Sequence, residues 1–286
     1  MLNYRLDEDI EIVKEIMELT DQELADALDI SRITLGRWRN APDKITPLNL
    51  ANFYNFAFKN NIRLNKIKEQ FYIEDYTKNN QVVLFHGSKN SLEEPLSLKK
   101  SKKNNDFGIG FYCGEKLEQA AMFVANYPNS SLYALSLTNK DLTFKQYHVD
   151  QEWMLTIAYF RGRLGTFANS AHITELLDKL QGIDYIIAPI ADNRMFQLID
   201  SFVDGEMTDL QCQHALSATN LGKQYVFLTD EALCQIKLLE RCYLAPEEKT
   251  YYLQERMSSL EINHSKVKLA RKQYRNQGKY IEEILS

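Results

Sequence analysis

The residues best equipped for chemistry are His86, which ends the apolar run Leu84-Phe85, and Tyr112, which ends Asp106-Phe107-Gly108-Ile109-Gly110-Phe111-Tyr112. An imidazole can donate and accept at once, which suits a ligand rich in hydroxyls. Gly87 lacks a side chain and so lets a ligand approach the backbone, and Ser88 adds a small polar neighbour. Tyr112 follows a glycine-flexed turn and offers a flat ring for stacking. Asp192 and Arg194 follow the strand-like Tyr185 to Ile190, where loop side chains can meet a ligand, and an arginine there can take a phosphate bidentately. Plainer roles stay open for each: His86 as a strand cap, Tyr112 as core, Asp192 and Arg194 as an internal ion pair. Cys113 has no evident histidine partner to make it a nucleophile. The chain carries no GxGxxG and no P-loop, which argues against a Rossmann dehydrogenase or a P-loop enzyme.

The His86-Gly87-Ser88 step and the Tyr112 motif resemble the first two signature motifs of the diphtheria-toxin and poly(ADP-ribose) polymerase branch of the ADP-ribosyltransferases. More widely, Val83 to Leu239 resembles a bacterial domain family of uncharacterised function, distantly related to those enzymes and often encoded beside proposed antitoxins. The matching blocks run in order: Phe85 to Ser88, Asp106 to Tyr112, Glu152-Trp153, Asp184 to Arg194, and Gln224 to Thr229. The resemblance implies an ADP-ribosyltransferase-like split β-sandwich with helices, NAD as substrate, and a macromolecular acceptor, protein or nucleic acid. It implies a toxin or conflict-system effector with an antitoxin protein as partner. It assigns His86 to the adenosine ribose, the Gly87 backbone to the nicotinamide amide and Tyr112 to the nicotinamide ring. Where the related toxins carry a ribose-binding glutamate, this block begins with Gln224, which keeps hydrogen bonding but lacks the charge that steadies an oxocarbenium-like ribose. Asp192 and Glu231 are the carboxylates available to replace it. Two rivals stand beside the transferase: a non-catalytic DNA-binding regulator whose body senses NAD, and an NAD glycohydrolase.

Ahead of this region, Thr20 and Glu23 have the spacing of a capping box, and Leu24, Ala25 and Leu28 give the helix they open an apolar face. Ser31 is placed to cap a second helix with Leu35 and Trp38 inward. This pair resembles the helix-turn-helix of phage repressors, which implies that Arg32, Ile33, Thr34 and Arg37 face a DNA operator. The alternative is a bihelical unit that packs on protein, and the acidic helix from Asp7 to Glu18 favours it by repelling phosphate. Asn49 to Glu74 reads as further amphipathic helix through Leu50, Phe53, Phe56, Ala57, Ile62, Ile67 and Phe71, and Asp75 to Asn80 as a linker.

The expected fold class is α+β, with a small all-α domain over residues 1–75, the transferase-like domain over 81–244 and a helical extension over 245–286. Strands are expected at Gln81 to Phe85, Ser131 to Leu137, Tyr185 to Ile190 and Gln224 to Leu228. A lysine-rich polar loop from Ser88 to Asn105 should face solvent and be mobile. In the extension, Tyr252, Met257, Leu260, Ile262, Val267, Tyr280, Ile281 and Ile284 recur at helical spacing beside Lys266, Lys268, Arg271, Lys272 and Arg275. With 44% apolar and 26% charged residues the chain reads as an ordinary globular protein. The net charge of -5 argues against broad, sequence-independent nucleic-acid binding, though local patches can still be basic. A polar amino terminus and the lack of a long apolar run point to the cytoplasm and away from membranes, and four cysteines without CxxC pairing suggest neither metal nor disulfide framework.

Overall fold

Thr20 accepts the backbone N–H of Glu23 while the Glu23 carboxylate accepts the Thr20 N–H at 2.8 Å, so the capping box opens a helix where its spacing said it would. The computed structural model describes residues 4–191, 193–219 and 222–286, with the side chains of 193–194 and 259–263 outside that description. It is a mixed α/β structure with a helical amino-terminal region and, among the described residues, seven strands. Two compact units divide it: unit 1 holds 1–94, 116–139 and 236–256, and unit 2 holds 95–115, 140–235 and 257–286.

In unit 1, α1 (Leu6–Met17), α2 (Asp21–Ala27), α3 (Arg32–Asn40), α4 (Pro47–Lys59) and α5 (Leu64–Thr77) precede β1 (Gln81–Ser88). Leu24, Ala25, Leu35 and Trp38 are buried with Leu6, Ile10, Val13 and Phe53, the apolar residues the helix-turn-helix reading placed inward among them. The single helix expected from Asn49 is broken at Asn61, whose left-handed backbone (φ 62°) turns α4 into α5. The expected apolar face of α5 is also corrected. Phe71 is 49% exposed, whereas Asn65, Lys68, Glu69 and Tyr72 are buried.

Those polar residues are buried because partners distant in sequence satisfy them. Strand β7 (Ile236–Cys242), absent from the expected strands, pairs antiparallel with β3 (Ser131–Thr138), which pairs with β1 from Gln81↔Thr138 to Ser88↔Ser131. Glu240 of β7 accepts from Lys68 and, at 2.6 Å, from the Tyr72 hydroxyl. Lys68 lies 2.7 Å from Asp9 of α1, whose other oxygen accepts from the Tyr54 hydroxyl. Burial, ahead of Glu240, raises the Asp9 carboxyl above its ordinary range, and Lys68 pulls it back. The Leu117 N–H, at the start of α6 (Leu117–Val124), donates to Glu69 at 2.9 Å. An isolated buried charge would be costly, so each of these carboxylates has a donor.

In unit 2, β4 (Phe144–Gln146) pairs parallel with β5 (Tyr185–Pro189), β5 antiparallel with β6 (Lys223–Phe227), and β6 antiparallel with β2 (Phe111–Gly114). Where helical periodicity in the sequence predicts helices at Gln151 to Arg163, Ile173 to Leu180, Met195 to Phe202 and Thr208 to Leu216, the structure has α7 (Gln151–Phe160), α8 (Ala171–Asp178), α9 (Asn193–Val203) and α10 (Asp209–Ser217), while β4 and the short α11 (Asp230–Cys234) fall outside the predicted elements. Trp153, Ile157, Phe202 and Leu216 pack with Ile186, Ala188 and Val226 on one face of this sheet. The extension forms α12 (Pro246–Gln273) and α13 (Ile281–Leu285); Tyr252 enters a unit 1 core, and Ala270 and Ile281 enter that of unit 2. Met257 and Tyr280, two of the apolar residues at helical spacing, are 67% and 40% exposed. Leu260 and Ile262 lie outside the described side chains. Among the described residues no helix is long and apolar enough to cross a membrane.

Glu248, near the start of α12 and buried, accepts from the Asn65 amide at 3.0 and 3.1 Å, and burial lifts its carboxyl to about 7 from the ordinary 4.5. Below the unfolded value both states hold the proton; above it the folded state holds it more tightly, so that contribution to stability is lost as pH rises through about 7. Glu248→Gln should therefore gain on the wild type between pH 5 and 8 by on the order of 2 kcal/mol. Parallel stability curves in urea denaturation across that range would refute this.

Candidate functional site

In unit 1, β1 carries His86 half-buried opposite Tyr133 of β3, and Ser88 half-buried opposite Ser131. A Cβ on Gly87 would stand 2.6 Å from the Ala120 carbonyl oxygen and 2.8 Å from Val124 Cγ1, both on α6. The space over this glycine is filled by the protein's own helix, so close packing of α6 on β1 demands the glycine on that face. The other face of β1 carries His86. The loop leaving β1 is pinned where the Leu92 N–H donates to the Tyr133 hydroxyl at 2.8 Å.

In unit 2 the second motif is a turn closed on itself. Gly108 has φ +72°, and its N–H donates to the Asn105 carbonyl at 3.1 Å. The Tyr112 hydroxyl donates to the Gly108 carbonyl at 2.8 Å and accepts the Phe107 N–H at 3.1 Å. Burial pushes that phenol well above its ordinary value, so the hydroxyl stays protonated and able to donate. Tyr112 thus spends its hydroxyl on the turn before it, which fixes the ring.

Across the strand pair from Tyr112 stands Val226, and two residues earlier on β6 Gln224 is buried on the same face. The Gln224 amide donates to Asp106 at 3.0 Å and to the Pro189 carbonyl at 3.1 Å. Asp106 is buried too, and Arg161, just past α7, donates to it from Nε at 2.8 Å and again from Nη2. The same Nη2 reaches the Ala191 carbonyl at 2.8 Å, and the guanidinium lies 4.0 Å from the Phe196 ring centroid. In unit 2, Gln224 is thus tied to Asp106, which Arg161 also holds and which leads into the turn that Tyr112 closes; sequence reasoning gave neither Asp106 nor Arg161 a role. Asp106 opens the second motif, which was a signal; Arg161 had none, because its partner is 55 positions away. Asp192 lies outside the described residues, as does the side chain of Arg194 on the first turn of α9. Glu231, the other carboxylate considered, is exposed on α11.

The expected DNA-facing residues sit at the start of α3. Arg32, Ile33 and Arg37 are exposed, Ile33 by 69%, while Thr34 is half-buried with its hydroxyl 2.9 Å from the Ser31 hydroxyl that caps the helix. Arg39 of the same helix is turned inward to Asp21 at 2.7 Å and Glu11 at 2.6 Å, and it holds the Asp21 carboxyl well below the usual range. The acidity of α1 is thus partly spent on Arg39. Of the cysteines, Cys113, Cys212 and Cys242 are buried and Cys234 is exposed; all four are free thiols, and burial raises Cys113 far above its ordinary value, against a reactive thiolate.

Residues 82–238 match the family described as "Protein of unknown function (DUF3990)", and the chain belongs to that family. No curated protein and no solved structure matches it.

A glutamate in place of Gln224 would turn an acceptor toward Asp106 and the Pro189 carbonyl, two acceptors, so an amide is what this position requires. Gln224→Glu is expected to lower stability by about 1–3 kcal/mol, read by thermal or urea unfolding. A variant as stable as the wild type would contradict the assignment.

Proposed function

We propose that the chain is an NAD-dependent ADP-ribosyltransferase that acts as a toxin or conflict-system effector. The bond between nicotinamide and ribose breaks, nicotinamide leaves with the electron pair, and a nucleophile of the acceptor bonds to the ribose anomeric carbon and sheds its proton. The observation that carries this reading is the Tyr112 turn: a ring locked by its own hydroxyl to the Phe107 and Gly108 backbone offers a preorganised flat surface for nicotinamide. His86, half-buried at the end of β1, serves the ribose, as the family resemblance implies, with half-buried Ser88 as its small polar neighbour. The exposed Arg32, Ile33 and Arg37 give the helical head a face for an operator or for an antitoxin protein.

A second reading draws on Gln224, whose amide is used internally and brings no charge to the ribose cation. On that reading the body binds NAD without turnover, and the head regulates transcription. Incubation with NAD labelled on its ADP-ribose half separates them: label on a macromolecule for a transferase, free ADP-ribose for a glycohydrolase, binding without turnover for a sensor. We expect labelled macromolecule, a loss of at least about a hundredfold in His86→Ala and Tyr112→Ala, and relief of growth arrest by the double variant. A double variant that stayed fully active and toxic would overturn the assignment.

A further inference from the structure

The run Lys99-Lys100-Ser101-Lys102-Lys103 plays no part in that reading, yet unit 2 ties it directly to the Tyr112 turn. The Gly110 N–H donates to the Ser101 hydroxyl at 3.0 Å, and the Asn105 amide donates to the Ser101 hydroxyl at 3.2 Å and to the Lys102 carbonyl at 2.9 Å. Leu96 and Leu98 of the same segment are half-buried. All four lysines are exposed, no carboxylate occurs from Pro95 to Asn105, and Lys99, Lys102 and Lys103 enter no ion pair among the described residues. In a chain of net charge -5 this is four positive charges within five positions, on a segment hydrogen-bonded to the Tyr112 turn.

We propose that Lys99, Lys102 and Lys103 grip the phosphate backbone of a nucleic-acid strand and hold it beside the Tyr112 turn. Several solvated ammoniums pointing outward match a line of phosphates, since each acts as a point charge and gains by counterion release. The two phosphates of a dinucleotide would call for fewer, converging donors. A lipid surface would call for a broad apolar face, whereas Ile109, 45% exposed at the tip of the turn, is the apolar side chain presented there. That side chain instead suits contact with an unstacked base. Resting on the transferase reading, this makes nucleic acid the acceptor class, delivered to the edge where nicotinamide departs.

Fluorescence anisotropy of a short single-stranded RNA with the full-length chain, in salt from about 50 to 200 mM, tests the surface without any turnover. In Lys99→Ala/Lys102→Ala/Lys103→Ala the log–log salt slope should shrink by about 2 and affinity at low salt fall at least about tenfold, with the melting midpoint unchanged. The proposal is overturned by an unchanged slope and affinity, by loss of binding only in Arg32→Ala/Arg37→Ala, by weakened titration of NAD alone, or by polyglutamate competing as well as RNA. Labelled NAD added to the bound strand keeps the two claims apart. RNA binding lost in the lysine variant, with no label on the wild-type complex, would support the surface and refute the transferase.

Discussion

A carboxylate withdrawn from water must be matched donor for donor, and in unit 2 that requirement falls on Asp106. One of its oxygens takes the Arg161 guanidinium and the other the Gln224 amide. Because Arg161 also holds the Ala191 carbonyl and Gln224 also holds the Pro189 carbonyl, the arrangement fixes the end of β5 and the start of the 106–110 turn together. Tyr112 then closes that turn with its own hydroxyl. The residues that the resemblance would make chemical are, in this unit, first the residues that hold one another in place. A preorganised site needs such support, and the cost of leaving Asp106 unmatched keeps the turn from relaxing.

Unit 1 follows the same logic with different members. Lys68 lies between Asp9 of α1 and Glu240 of β7, with Tyr54 and Tyr72 completing the donors. Replacing such a cluster by apolar side chains can be neutral for stability, but removing one member strands a buried charge. The arrangement therefore specifies which helix face packs on which strand more than it adds net stability. It joins the helical head and the β1-β3-β7 strands within one compact unit, although the sequence suggests a linker between them.

What the sequence made legible was local. The Thr20 and Glu23 box, the Ser31 cap and the inward Leu35 and Trp38 are decided within a few residues, and the structure has them. Strands β1, β5 and β6 carry β-branched or aromatic runs, and β3 a leucine-rich apolar one, that need little context. What escaped was set by distant partners. The buried face of α5 carries Asn65, Lys68 and Glu69 because Glu248, Glu240 and the Leu117 N–H wait for them, so apolar periodicity pointed to Phe71 and failed. Strand β7 contains Lys237, Glu240 and Arg241, a composition that hides a strand whose glutamate is buried by pairing. Gly87 was read as room for a ligand, and the room is taken by α6. For the candidate site, Tyr112 and Gln224 were legible as positions, whereas the Asp106 that Gln224 and Arg161 share was not.

On the function proposed above, the Tyr112 turn is both the ligand surface and a dependent of Asp106. Calorimetric titration of NAD into the wild type and into Asp106→Asn addresses this most directly, because the substitution keeps size while weakening the hold on Arg161. Measurable NAD binding to the wild type and at least about tenfold weaker binding to the variant are expected. Equal affinity in the two proteins, or no binding to either, would contradict it.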